Sequence, residues 1–122
     1  MLKDLTVVVP DRPGTLAHLA EEIGKAGINI EGFSGDNLEG TAVLHLLVED
    51  HRSVRKIMED AGLEIRAERD VLVIDTDDHP GALGGVAHRI AASGVNIDFL
   101  YGVRGRLVFG VDDFERAEAA VH

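Results

Sequence analysis

Asp11-Arg12-Pro13-Gly14-Thr15-Leu16, running on to Gly27-Ile28-Asn29-Ile30, returns 67 residues later as Asp78-His79-Pro80-Gly81-Ala82-Leu83 and Gly94-Val95-Asn96-Ile97. Residues 11–31 and 78–98, compared without a gap, share nine of 21 positions. The matches are Asp11/Asp78, Pro13/Pro80, Gly14/Gly81, Leu16/Leu83, Ala20/Ala87, Ile23/Ile90, Gly27/Gly94, Asn29/Asn96 and Ile30/Ile97. A repeat with proline and glycine in register divides the chain before any local reading begins.

Each copy reads as strand, tight loop, helix, strand. Val7-Val8-Val9 and Val71-Leu72-Val73-Ile74 are β-branched runs leading into the loop. The proline presets φ for a helix's first position. Leu16, Leu19, Ala20 and Ile23 then recur at helical spacing, as do Leu83, Val86, Ala87 and Ile90, so each set predicts one inward face. Gly27 and Gly94 stand where a helix closes on a left-handed residue. Gly14 and Gly81 would let a ligand approach the backbone N–H groups of the helix start, an end that favours negative charge.

The D-x-P-G-x-L…G-[IV]-N-I pattern after a β-rich strand resembles the ACT domain, a regulatory module that binds amino acids. The resemblance covers nearly the whole chain as two tandem copies. It implies an α+β fold of two ferredoxin-like βαββαβ units, at 1–68 and 69–122.

Further along, strands are expected at 4–9, 28–34, 41–48 and 63–67, with a turn-rich loop at 35–40. Helices are expected at 14–26 and, capped by Asp50 and ended by Gly62, through Val54, Ile57, Met58 and Ala61. The second copy repeats the order with a hairpin at Val103-Arg104-Gly105, a strand at 106–111, and a helix capped by Asp112 or Asp113 that buries Phe114, Ala117 and Val121. It lacks a counterpart of 63–67, so the second unit is expected without its last strand. An open edge beside Val71–Ile74 would invite pairing. A homodimer closed by strand exchange or edge pairing is the expected consequence.

Bulk properties narrow the function classes. The net charge of −10, from 22 acidic and 12 basic residues, counts against nucleic acid and anionic membranes as partners. With no cysteine, neither a disulfide nor a thiolate metal site can be argued. No apolar run reaches membrane-spanning length and no signal-peptide pattern opens the chain, so a cytoplasmic location is expected.

In ACT modules an effector amino acid sits against the helix-start loop and the following strand, often between two copies. The resemblance therefore implies Asp11 and Asn29 in the first copy, and Asp78 and Asn96 in the second, as polar contacts. Gly14 and Gly81 stand beside them, and Arg12 and Thr15 add polarity to the first loop. A carboxylate two before the proline would suit an effector's ammonium group. The competing reading is local: Asp11 and Asp78 cap their helices while the two Asn residues hold turns.

Asp75, Asp77, Asp78 and His79 form an acidic cluster, but without regular ligand spacing they read as solvated loop residues. The six histidines show no metal pattern, and no nucleophile elbow or Ser/His/Asp set emerges. Arg104 and Arg106 read as a solvated turn or a partner contact. The expected function is therefore non-catalytic, without cofactor: binding an amino acid and reporting occupancy to a partner enzyme in another polypeptide. The alternative is an assembly subunit built on an ACT pair that binds no ligand.

Overall fold

The computed structural model describes residues 1–122, which form two compact units, Met1–Arg69 and Asp70–His122. The first runs β1 (Lys3–Pro10), α1 (Thr15–Lys25), β2 (Ile30–Leu38), β3 (Thr41–Val48), α2 (His51–Asp60) and β4 (Glu64–Asp70). Its sheet has the order β2-β3-β1-β4, with β1 and β2 both antiparallel to β3. This is the ferredoxin-like βαββαβ arrangement.

The core follows from alternation. Leu5, Val7 and Val9 of β1 and Leu44, Leu46 and Val48 of β3 share one sheet face. Leu19 and Ile23 of α1 and Val54 and Met58 of α2 close over them. Each such side chain, taken fully out of water, contributes about 1.5–3 kcal/mol.

The second unit runs β5 (Leu72–Asp75), α3 (Ala82–Ala92), β6 (Ile97–Val103), β7 (Arg106–Val111) and α4 (Phe114–Val121). Its sheet is β5-β7-β6, the same order with the fourth position absent, so β5 is an edge. Phe109, Leu72 and Ile90 are its largest fully buried side chains. Within the first unit β4 lies beside β1, which leaves the segment 63–67 completing its own sheet.

Three local expectations change. Residues 35–38, read as loop, continue β2, and the turn shrinks to Glu39-Gly40. Both turn residues have positive φ, 50° and 84°, as a two-residue type I′ hairpin requires. Second, α1 starts at Thr15, so Pro13 lies before the helix cap and not at its first position. Third, the predicted inward faces of α1 and α3 both split, with Leu83 46% exposed and Ala87 half-buried beside the buried Val86 and Ile90 of α3. In α1 the division is the same. Leu19 and Ile23 enter the core, while Leu16 remains 56% exposed and Ala20 half-buried. The helix carries a wider apolar stripe than the sheet beneath it covers.

Other local readings match. Asp50 caps α2 by accepting from the Ser53 amide at 3.2 Å, and Asp113, the second of the two candidates, caps α4 through Arg116 N–H at 3.1 Å. Hydrogen bonding from Ser53 holds the Asp50 carboxyl below the usual carboxylate range. Gly27 and Gly94, each at φ 77°, close α1 and α3.

Candidate functional site

The four helices divide by how they begin. α2 and α4 have aspartate caps, whereas α1 and α3 start at Gly14 and Gly81, at φ 90° and 91°, with no side-chain cap and no acidic residue in the first turn. The amides of Thr15 and Ala82 turn back to Arg12 O and His79 O, while those of the next two residues in each helix have no intrahelical partner, a concentration of partial positive charge. Glycine is needed there for the backbone angle. A Cβ on either glycine would meet no atom within 4 Å, so the requirement is for the backbone angle and not for space.

Asp11 does not cap α1. Its Oδ2 accepts from Asn37 Nδ2 at 3.1 Å, tying the end of β1 to β2, and its backbone N–H bonds to Gly40 O. Asp78 likewise does not cap α3, because Arg104 Nε contacts its Oδ2 at 2.9 Å. In both copies the residue two before the proline is thus held by the hairpin that follows. In the first copy the holder is a neutral amide, so the Asp11 carboxylate keeps its charge uncompensated at the rim. In the second, the guanidinium neutralises it.

Asp11, Arg12 and Thr15 line a cavity of about 290 Å³ with Asp36, Asn37 and the backbone of Gly35. It abuts a second cavity of about 220 Å³ across Leu16, Gly35 and Leu44, which line both. Gly35 is packed against Leu44 between them. A Cβ there would come within 2.9 Å of Leu44 Cδ2.

The second copy has a cavity of about 390 Å³ lined by Ile74, Asp75, His79, Gly81, Arg89 and His122, among others. Neither Asp78 nor Asn96 lines it.

The two asparagines lie elsewhere. Ile30 is in register with Val48 and Lys3, while Leu38 is in register with Thr41 and Pro10. Asn29 and Asp11 therefore occupy opposite ends of one sheet, about 20–25 Å apart at 3.3 Å per residue. One amino acid cannot touch both within one unit. Asn29 Nδ2 donates to Glu31 Oε2 at 2.8 Å, and Asn96 Nδ2 donates to Asp98 Oδ1 at 3.2 Å. Asn96 N–H also bonds to Asp112, the aspartate left over from the helix cap.

The acidic cluster of the second copy disperses. Asp75 pairs with Arg106 Nε at 2.9 Å, Asp78 with Arg104, and His79 Nδ1 with the Pro80 carbonyl at 2.9 Å. The two hairpin arginines thus serve their own unit.

On the sheet face of the first unit away from the helices, Asp4 is fully buried beside Thr6 and His45. Thr6 Oγ1 donates to Asp4 Oδ1 at 3.0 Å, and His45 Nδ1 lies 3.1 Å from the same oxygen and 3.3 Å from the hydroxyl. Because hydroxyl and carboxylate meet the same ring nitrogen, the imidazole does not stand between them as a proton relay requires.

Sequence reasoning missed Asn37 and Gly35, both hidden in the supposed loop. The Glu39-Gly40 pair between two strand-like runs was the available signal. It also missed the second cavity, since the helical periodicity assigned Leu16 and Ala20 to the core.

The geometry accords with what the comparisons found. The family model described as "ACT domain" matches residues 3–61. No curated protein sequence matches the chain. Among solved structures, a protein from Bacteroides thetaiotaomicron has a TM-score of 0.87 at 22% identity, over 97% of this chain and 84% of that one. The ligand-free regulatory subunit of aspartate kinase from Thermus thermophilus scores 0.78 at 17% identity, over 98% and 88%. The corresponding subunit from Thermus flavus scores 0.77 at 18% identity, over 99% and 90%. At these identities the likeness establishes the fold.

Proposed function

We propose, on the premise that residues 3–61 of this chain are an ACT domain, that the protein binds an amino acid at the start of α1 and signals its presence to a partner enzyme. The observation that carries this reading is the junction of an uncapped helix start with a cavity holding Asp11, Arg12, Thr15 and Asn37. An amino acid's carboxylate meets the outward N–H groups around Gly14 and the Arg12 guanidinium. Its ammonium group meets the Asp11 carboxylate, whose only held oxygen faces Asn37. The first copy is the competent one, because in the second Arg104 already neutralises Asp78. Gly81 and Asn96 then serve the fold of the second unit, at α3's start and at the entry to β6.

The regulatory role is supported by the fold shared with regulatory subunits of aspartate kinase. A cytoplasmic setting fits a chain in which no helix is long and apolar enough to cross a membrane.

The proposal includes a homodimer. β2 is an edge strand that exposes Phe33 and Leu38, 73% and 65% respectively. Antiparallel pairing of two β2 edges about a two-fold axis would set the Ile30 end of one copy against the Leu38 end of the other. That pairing brings Asn29 of the partner subunit beside the Asp11 loop, which a single chain cannot do. Light scattering at micromolar concentration should give twice the 13.1 kDa chain mass. A stable monomer would remove this part of the proposal.

A thermal-shift screen of the twenty amino acids on the full chain tests the binding reading. A ligand at 100 times its Kd adds about 2.7 kcal/mol of stability. If none raises the melting temperature at millimolar concentration, the site reading fails, and a ligand-free assembly role takes its place.

A further inference from the structure

We infer that the effector carries a bulky apolar side chain, branched aliphatic or aromatic, and that the groove between α1 and β2 holds it. This rests on the reading of the α1 start as an amino-acid site. The groove is the cavity of about 220 Å³ that abuts the polar one, and its walls are Leu16, Ala20, Ile30, Phe33, Leu44 and Leu46. Its remaining lining residues are Ser34 and Gly35, so no ionisable group faces it.

Three features point to a ligand side chain as the occupant. The groove adjoins the polar cavity, with Leu16, Gly35 and Leu44 lining both, so a molecule anchored at Asp11 and Gly14 has the groove next to it. Its size is right, since a dry cavity of about 150 Å³ accommodates a benzene ring. Its chemistry disfavours the polar amino acids: a lysine or aspartate side chain laid against these walls finds no charged partner, and its polar neighbour is Ser34 alone. The parallel position in the second unit is filled differently. Phe33 is in register with Leu46, and its counterpart Leu100 is in register with Phe109, which is fully buried. A phenyl ring therefore stands where the first unit has the smaller leucine at the groove's floor.

Calorimetry of the full chain with leucine, phenylalanine, alanine, aspartate and lysine tests the inference. Leucine or phenylalanine should bind at least about tenfold more tightly than alanine, since each methylene in an apolar pocket is worth roughly tenfold or more. Ala20→Phe, which fills the groove from the helix side, should cost the large apolar ligands at least about tenfold and leave alanine within about twofold. Should that variant melt early, Phe33→Ser replaces it. The removed ring is 73% exposed, so folding is spared while one groove wall is lost, and with the dimer mass unchanged by light scattering the preference for leucine over alanine should shrink several-fold.

Tighter binding of aspartate or lysine than of leucine and phenylalanine would overturn the inference and leave the amino-acid site standing. If no amino acid binds, both fall. Dissociation of a dimer by Ala20→Phe with an unchanged order of ligand affinities would give the groove to the subunit contact, and also overturns the inference.

Discussion

Glu68→Gln should loosen the first unit in a pH-dependent way. Glu68, on β4, receives His51 Nδ1 at 2.8 Å on Oε1 and the Arg55 guanidinium on Oε2, so one carboxylate ties both residues of α2 to the sheet. A carboxylate can only accept, so the imidazole nitrogen facing it carries the proton. Burial pushes the Glu68 carboxyl up, and hydrogen bonds and charge from His51 and Arg55 outweigh it, leaving the group below the usual carboxylate range.

The side chains of Glu68 and His51 are 20% and 24% exposed, and that of Arg55 is 43% exposed. A hydrogen bond to a charged partner contributes about 1.5–3 kcal/mol, an exposed ion pair about 0.2–1. Discounting the Arg55 contact for solvent, and allowing Gln to keep one weaker bond, the substitution should cost about 1–2 kcal/mol at pH 7. For a domain of 60–100 residues each kcal/mol shifts the melting temperature by about 4–8 °C.

The sign with pH follows from the lowered pKa. The contribution is complete above the unfolded glutamate value of about 4.3 and disappears as pH falls through the folded value. Thermal unfolding of both proteins at pH 7 and at pH 3 reads this directly. The gap should be several degrees at pH 7 and shrink as the pH is lowered to 3, and added salt should narrow it. Equal melting at pH 7, or a gap that persists unchanged to pH 3, would refute the clamp.

Other outcomes follow from individual contacts. Asp113→Ala removes the cap of α4 and should cost about 1 kcal/mol by chemical denaturation, with α4 losing amide protection first. Gly14→Ala must hold a side chain at φ 90°, and should lower the stability of the ligand-free chain by about 1–2 kcal/mol. Asn37→Ala frees Asp11 from its only side-chain partner and should weaken the effector by about 1–3 kcal/mol in calorimetry. Asn29→Ala should weaken it only while the protein is dimeric, which a dilution series with light scattering resolves.

Much of the fold could be read from the chain because its signals are local. The repeated Pro-Gly loops, the closing glycines and the aspartate at 50 each act within one turn of backbone. The site was less legible because it depends on tertiary placement. Asp11 looked equally suited to capping a helix or meeting a ligand, and only its bond to Asn37, 26 residues away, decides against capping. Leu16 and Ala20 obey the same periodicity as Leu19 and Ile23. Which pair enters the core depends on how far β2 extends beneath the helix, and periodicity carries no such information. Asn29 and Asp11 sit in one motif yet at opposite ends of a sheet, since an eleven-residue helix separates them.

Where a bound amino acid touches the chain can be measured residue by residue. A ¹⁵N-labelled sample titrated with leucine and phenylalanine, followed by amide chemical shifts, measures this. The largest shifts should fall at Gly14, Thr15, Leu16, Gly35 and Asn37, with the corresponding amides around Gly81 unmoved. Shifts centred on Gly81 and Arg89, or a spectrum unchanged at millimolar ligand, would contradict a site at the start of α1.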